Sequence, residues 1–566
     1  MKKSIVDDHL EKCRPKSNLV RLLTLLLLTL FTTNAFAQQK TITGKVIDTL
    51  GDPLIGVNVS VKGTTTGTIT DFDGNYSLGV PSNAVLVFSY IGYTVQEVPV
   101  GNQSMVNVTL SEDTQRLDEV VVVGYGVQKK VTVTGSVASV TGEELTASPT
   151  SNLSTGMVGR MPGVIGFQKS DEPGGGGTTI RIRGTNSLGS NDPLIVIDGI
   201  PDRDGGMNRL NPTEIESISV LKDASAAIYG ARAANGVILI TTKRGKEGKA
   251  TVTFNASGGF SQATRLPKMT NSYEYATMLN EVLPGSFSEE QLEGYRTHSN
   301  PWKYPDTDWF DTVLKNASPI YRADVGVSGG TDKVKYFVNF GANGEDGIYK
   351  NSANRYDQYS LRTNLDVKTS QYVSFQYGIV ARFEDTRYPA KGAGDIFTGI
   401  RRSTPTSPAF WPTGEAGPAI ERGDNPAVTS TDEAGSDHHK NYYVQNTLSA
   451  NIQIPWIEGL SVRGNAAYDV HFLNRHLLRK PVYLYSWDGV NENSSGLSAS
   501  KQWIDSPELE RKHTEQVDWM VNGLIDYNRT FGLHTIGFTV GMEAQKSSLK
   551  KHLLSGKDLF LIVNLN

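Results

Sequence analysis

The stretch "YRADVGVSGGTDKVKYFVNFGAN", Tyr321–Asn343, is two alternating runs joined by a turn at Gly329-Gly330-Thr331-Asp332. Alternation with period two marks a strand whose two faces meet different surroundings, so the stretch predicts a β-hairpin. Upstream, Val252, Phe254 and Ala256 alternate in the same way with Thr251, Thr253 and Asn255. Downstream the pattern recurs in Tyr359–Glu384, Asn441–Phe472 and Glu515–Gln545. The short turns inside these hairpins alternate with long connections, Ser261–Ile320, Gly344–Tyr359, Asp385–Lys440 and Leu473–Thr514. A barrel crossing an outer membrane has this rhythm of short and long loops. A soluble solenoid would repeat at a fixed period instead, and none is present. Residues 249–566 therefore read as antiparallel transmembrane β-barrel.

Bulk composition agrees. With 59 acidic against 55 basic residues the chain has no basic surplus for a nucleic acid. Its 57 glycines and 23 tyrosines suit a β-protein with polar loops. At the N-terminus, Lys12, Arg14, Lys16 and Arg21 precede an apolar run, Leu22–Phe31, and then "NAFAQQ". Ala35 and Ala37 fit an A-x-A cleavage site, so residues 1–37 read as a secretory signal peptide. The run is too short to span a bilayer, which takes about 20 residues. The sole cysteine, Cys13, would leave with the signal, so disulfides and thiolate-bound metals are excluded from the mature chain.

Residues 40–112 carry short β-branched runs broken by Asp-Pro and Asp-Gly turns, the pattern of a small β-sandwich. Asp71-Phe72-Asp73-Gly74-Asn75 lacks the ligands of a calcium loop through to a twelfth-position Glu and reads as a hairpin turn. The phrases Gly44–Asp48, Pro53–Val57, Val59–Thr64, Thr70–Leu78 and Phe88–Tyr93 resemble the carboxypeptidase-regulatory-like domain, which implies an immunoglobulin-like sandwich without catalysis.

Residues 127–246 mix helix and strand signals. "SNLSTGMVGRMPGV" (151–164) starts as a short helix and stops before Pro162. "TTIRIRGTNS" (178–187) puts Ile180 and Ile182 on one face of a strand and Arg181 and Arg183 on the other. "DPLIVIDGIP" (192–201), "PTEIESISVLKDASAAIYG" (212–230) and "GVILITTKRG" (236–245) follow as strands with short helical turns. These phrases resemble the plug domain of TonB-dependent outer-membrane transporters, most closely the SusC/RagA group, whose members place a regulatory-like sandwich before the plug. The resemblance implies a plug motif of Arg181, Arg183, Gly184, Asp198, Gly199, Lys222, Asp223, Tyr229, Gly230 and Gly236. Salt bridges to plug or barrel carboxylates are the simplest use of the two arginines, since unpaired buried arginines are costly. The glycines read as turn positions.

Between sandwich and plug lies "RLDEVVVVGYGVQKK", Arg116–Lys130. A valine run flanked by charge and glycine is extended, with a backbone free to join the sheet edge of a partner. It resembles the family's TonB box, centred on Leu117, Asp118, Glu119, Val120, Val121, Val122 and Val123, within a linker of residues 116–126. The resemblance implies an importer in the outer membrane, with sandwich and plug on the periplasmic side. Its partners would be TonB with the inner-membrane energising complex, a SusD-like lipoprotein, outer-membrane lipid and an oligosaccharide or peptide substrate. The alternative is a secreted or surface adhesion protein built of β-domains, which has no reason to carry a plug.

No enzymatic, cofactor or metal chemistry is expected. Gly326-Val327-Ser328-Gly329-Gly330 matches a nucleophile-elbow pattern but enters a hairpin rather than a helix. Gly245–Ala250 lacks the residues of a phosphate loop, and Gly174–Gly177 makes no dinucleotide fingerprint. His438 and His439 are expected in a solvated loop beside Asp432, Glu433 and Asp437. Substrate-contacting residues are not legible. Residues 249–566 offer about nine strands where a closed barrel of this type needs about 22, so the chain is expected to be a truncated form whose sheet does not close. In fold class the whole is mainly β: an immunoglobulin-like sandwich, an α+β plug and an incomplete antiparallel barrel.

Overall fold

The computed structural model describes residues 40–557 except 112–119, 130–136, 148–151, 419–423 and positions 50, 65, 82, 91, 92, 124, 125, 169, 171, 176, 204 and 533. Residues 1–39, with Ala35 and Ala37, lie outside the described residues, as do Leu117, Asp118 and Glu119.

The first unit is a sandwich of two sheets. Strands β1 (Lys40–Ile47), β4 (Asn75–Val80) and β7 (Val108–Thr109) form one, in the order β4-β1-β7. Strands β2 (Asn58–Val61), β3 (Gly67–Ile69), β5 (Val85–Ser89) and β6 (Gln96–Pro99) form the other, in the order β3-β2-β5-β6. Each contributes alternate residues to a common core that includes Ile42, Val46, Val57, Val59, Leu78, Val80, Leu86, Phe88 and Leu110. The Asp71–Asn75 turn differs from the expected hairpin. Asp71 Oδ1 accepts from the amides of Asp73 (3.0 Å) and Asn75 (2.8 Å), but β3 and β4 belong to different sheets. The turn carries the chain between layers, and Val46 N donates to Gly74 O (2.8 Å), which ties the crossing to the opposite sheet.

The valine run follows. Val120–Val123 (β8) is extended and pairs with Gly126–Lys129 (β9) in a two-stranded sheet.

The second unit holds the plug and the wall. In the plug, β10 (Val137–Thr141), β13 (Leu194–Ile197), β14 (Ile200–Pro201), β15 (Ile215–Leu221) and β16 (Val237–Thr242) form a sheet ordered β10-β15-β16-β13-β14. β11 (Val164–Gln168) and β12 (Thr178–Ile182) make a separate hairpin. Ile218, Val220, Ile238 and Ile240 are packed with Leu145, Met157 and Ile180 in the plug's own apolar core. Between β13 and β14, Asp198 (φ 50°) and Gly199 (φ 82°) both take left-handed conformations, the requirement of a two-residue type I′ hairpin that Asp-Gly meets at low strain.

The wall is one antiparallel sheet of nine strands: β17 (Gly248–Ser261), β18 (Ser318–Gly330), β19 (Val334–Asp346), β20 (Arg355–Lys368), β21 (Val373–Pro389), β22 (Gly435–Gln453), β23 (Leu460–Arg479), β26 (Glu508–Phe531) and β27 (His534–Lys557). A hairpin of β24 (Val482–Trp487) and β25 (Leu497–Gln502) is inserted between β23 and β26. Among the described residues β17 pairs only with β18 and β27 only with β26. The faces are inverted relative to a soluble protein. On β20, Arg362 and Asn364 are 3% and 2% exposed, while their neighbours Tyr359 and Leu361 are 43% and 42% exposed. Phe340, Val444, Leu448, Trp519, Val521 and Ile525 continue the apolar outer face, as a lipid-facing band does.

The strands run further than the sequence predicts. The expected loops Asp385–Lys440 and Leu473–Thr514 shorten to 390–434 and 480–507 because β21, β22, β23 and β26 extend through their polar ends. Cross-strand charge pairs hold these extensions: Arg475 with Asp437 (2.6 Å) and Glu510 (3.3 Å), and Arg479 with Glu508 (3.2 Å). His438 and His439, expected in a loop, are strand residues of β22 bonded to Asp385 and Asp437. Ser328 is likewise in a wall strand, β18, paired with Phe337 and Thr251.

Tyr76 offers a test of the sandwich. Its hydroxyl donates to Val106 O (2.8 Å), its ring meets Phe88 edge-on (5.4 Å), and burial pushes the phenol up to about 12. A raised folded-state pKa stabilises the neutral form, so this contribution is complete below pH 10 and lost as pH rises to about 12. In residues 40–112, Tyr76→Phe should cost about 1–2 kcal/mol at neutral pH and should flatten the loss of stability across that alkaline window. Urea unfolding followed by circular dichroism at stepped pH measures both.

Candidate functional site

The plug-motif residues fall into distinct places. Arg183, Lys222, Gly230 and Gly236 line one cleft of about 300 Å³ with Ile182 and Asn186. The buried Lys222 ammonium donates to Pro162 O. A Cβ on Gly236 (φ 86°) would lie 2.8 Å from Ile182 Cδ1, so glycine permits the close packing of β16 and β12. Tyr229 is buried in the adjoining core, Gly230 (φ 66°) kinks the helical turn 223–233 that begins at Asp223, and Gly184 has φ 100°. Arg181 pairs with Asp192 inside the plug. Arg183 departs from expectation: β12 ends at Ile182, and Arg183 sits at φ 58° with its amide on Gly163 O (2.9 Å). The two arginines therefore do not share a strand face.

Asp198 has a further role. Its carboxylate accepts from Thr242 N (2.9 Å) and Thr242 Oγ1 (2.8 Å) and lies 3.8 Å from wall residue Arg362. Arg362 Nε donates to Glu214 Oε2 (2.7 Å), and Asn339 Nδ2 donates to Glu214 Oε1 (3.2 Å). A plug carboxylate with its side chain 3% exposed is thus satisfied by two wall strands.

The same logic is repeated around the plug. Arg203 forks onto Asp469 through Nε (2.8 Å) and Nη2 (2.7 Å), both side chains below 10% exposure. Asn211 bonds Asp324, Gln358 Nε2 donates to Arg209 O (3.1 Å), and the Arg209 guanidinium lies over the Tyr356 ring at 4.8 Å. Asn364 donates to Lys243 O (2.7 Å), and Arg244 pairs with Asp366 (2.5 Å). At the far edge, Arg232 meets Glu543 (2.6 Å). Gly205 (φ 81°) gives room to Arg382, because a Cβ there would collide with its guanidinium; Arg382 in turn lies over Tyr443 at 4.1 Å. Ile200 with Ala467 and Met520 is an apolar cluster joining plug to wall. Elsewhere in the plug, burial pushes the carboxyls of Glu172 and Asp202 above their usual range, with Arg232 partly offsetting the effect at Asp202.

Arg203, Arg209 and Glu214 and their wall partners are absent from the sequence reading. The available signal was charge at inward parity in mid-strand, as in Arg362 and Asp469; which plug residue answers each charge is a tertiary fact. Chemically, this interface holds a folded plug by ion pairs and hydrogen bonds with little apolar burial. Removing one partner of a buried pair costs about 3–5 kcal/mol, whereas removing both is close to neutral. Asp469→Ala should therefore loosen the plug by that amount, and Arg203→Met with Asp469→Leu should restore most of it. Denaturant titration with a fluorophore on the plug reads both variants.

Comparison with known proteins follows the same division of the chain. The CarboxypepD_reg-like domain family matches residues 42–122, and the TonB-dependent Receptor Plug Domain family matches residues 129–237. TonB-dependent receptor SusC of Bacteroides thetaiotaomicron is 40% identical over 391 residues, 67% of this chain and 37% of SusC. TonB-dependent receptor P3 of Formosa agariphila is 32% identical over 534 residues, 90% of this chain and 48% of P3. The solved structure of the RagAB peptide importer in its open-open state has the same fold, with a TM-score of 0.63 at 23% identity, covering 78% of this chain and 50% of that one. The chain spans between a third and a half of the length of its curated relatives, 37% of SusC and 48% of P3.

Proposed function

This chain belongs to the SusC/RagA type of TonB-dependent receptors, and on that footing we propose that it serves an energy-coupled importer in the outer membrane. TonB pairs with the segment Leu117–Val123, whose described part Val120–Val123 is extended, and draws on the plug; the plug yields, and cargo held in the lumen passes to the periplasm. The sandwich and the plug face the periplasm. The cargo is an oligosaccharide or a peptide, delivered with the help of a SusD-like lipoprotein that closes over the extracellular loops. No bond in the cargo is made or broken.

The observation that carries this reading is the inverted wall. A polar inner face is filled by a plug bound through ion pairs, and a valine strand stands between that plug and a separate domain. Strand addition supplies affinity through main-chain hydrogen bonds and leaves side chains to set specificity. β8 is already paired with β9, so a partner strand takes the open edge of β8 or displaces β9. The RagAB structure is named as a peptide importer, which supports the peptide branch of the cargo class by analogy alone.

Deleting Leu117–Val123 should abolish growth on oligosaccharide or peptide mixtures as sole carbon source while leaving the transporter folded in the outer membrane. A photo-cross-linker at Val121 should capture TonB in the undeleted protein. Growth that survives the deletion, with no TonB captured at Val121, overturns the assignment.

A further inference from the structure

We propose that the outer face of the wall, above its aromatic row, holds the phosphates of a phosphorylated glycolipid of the outer leaflet. This rests on the outer-membrane reading of the wall and names a lipid chemistry for it.

Strand register supplies the first argument. Tyr359, Phe383, Tyr442 and Phe472 stand directly opposite one another across β20, β21, β22 and β23. Ring centroids are 6.4 Å apart for Tyr359–Phe383 and 4.9 Å for Phe383–Tyr442. The row belongs to the exposed outer face, and it marks the headgroup level, where aromatic girdles sit. Four residues further toward the long connections 390–434 and 480–507, the same face changes to cations. Arg387, His438, His476 and Arg511 are directly opposite one another across β21, β22, β23 and β26. They share the parity of the aromatic row and so lie on the face turned away from the plug.

Charge balance is the second argument. Like charges directly opposite on neighbouring strands repel. Between the two rows these strands present Asp385, Lys440, Asn474 and His513, which is one carboxylate against a further lysine. Asp385 meets His438 Nε2 at 2.5 Å and Arg387 Nε at 3.7 Å. Arg511 is exposed, and its outward neighbours Leu509, His513 and His476 bring no carboxylate. Arg355 continues the row on β20, but Asp357 on its own strand accepts from Arg355 Nε (2.7 Å) and Nη2 (2.9 Å). Positive charge without a protein counter-charge is therefore concentrated on β22, β23 and β26, where it calls for an anion from outside the chain.

The class of anion follows from the dimensions. The row from Arg387 to Arg511 spans three strand spacings, about 14 Å. Four residues along a tilted strand raise it about 10 Å above the aromatic rings along the membrane normal. The headgroup layer of a phospholipid leaflet is only about 5–8 Å thick, so a phospholipid's phosphate stays near the rings. An anion further out and shared by a row of this width belongs to a larger head, a sugar that carries phosphate. Guanidinium groups take phosphate through paired N–H donors, and each imidazole adds an N–H donor.

The test reconstitutes the transporter, purified from outer membranes, in phosphatidylethanolamine bilayers containing either lipid A or the same lipid A stripped of its phosphates. Glycolipid retained through delipidating washes is counted by mass spectrometry. The wild type should retain at least fivefold more lipid A than the dephosphorylated form. Arg387→Gln with Arg511→Gln should erase that preference, while Arg355→Gln should keep it. If the double variant does not insert, Arg511→Gln alone decides, and it should lower the preference at least twofold. Three results overturn the proposal: equal retention of the two lipids by the wild type, a preference unchanged by the loss of Arg511, or one lost equally in Arg355→Gln. A wild type that inserts into neither bilayer strikes the outer-membrane reading itself, and this inference falls with it.

Discussion

The polar inner face of the wall is the constraint on which the rest of this structure depends. Arg362, Arg382, Glu384 and Asp469 point away from lipid into a space where each buried charge needs a partner. An unpaired ion in that position costs several kcal/mol even after relaxation. The plug supplies partners for three of them: Arg203 for Asp469, Arg209 for Glu384, and Glu214 with Asp198 for Arg362, while Arg382 pairs with Glu384 along its own strand. Plug and wall are thus mutually obligatory, and the plug's loops follow from the wall's charges.

Under the import function proposed above, ion pairs also govern how the plug would leave. An interface closed by several thousand square ångströms of apolar surface would resist separation by about 25 cal/mol per Å². One closed by charges exchanges protein partners for water when the lumen is wet, at a net cost far smaller than the sum of its contacts. The plug keeps its own apolar core in Ile218, Val220, Ile238 and Ile240, apart from the charged contacts it makes with the wall. The apolar cluster of Ile200, Ala467 and Met520 is a small exception that fixes one side.

Much of this was legible in the sequence where two environments differ sharply. Val325 and Asp324 are neighbours on opposite faces, and their alternation is readable because lipid and lumen demand opposite residues. The same contrast fades at the strand ends, where Asn474–His476 and Glu510–His513 are polar on both faces; the sequence pattern gives these residues as loop although they are strand. Local backbone geometry was partly hidden too. "IRIRG" reads as one alternating strand, yet Arg183 turns left-handed at φ 58° to place its amide on Gly163. The pairs that hold the plug were out of reach, because Arg203 and Asp469 stand 266 residues apart and nothing local links them. The turn at Asp71 shows the converse: its residues were read correctly as a turn, but which sheets it joins is set by packing.

The central claim is that the wall is a lipid-facing sheet with its polarity turned inward, and accessibility measured by spin labels tests it most directly. Nitroxides placed singly along residues 357–366 of β20 in the bilayer-embedded protein would be relaxed in turn by oxygen, which concentrates in lipid, and by a water-soluble nickel complex. The account predicts a period of two residues, with high oxygen and low nickel exposure at Tyr359, Leu361 and Thr363 and low values of both at Ser360, Arg362 and Asn364. Equal oxygen exposure at Leu361 and Ser360, or high nickel exposure at Leu361, would contradict it.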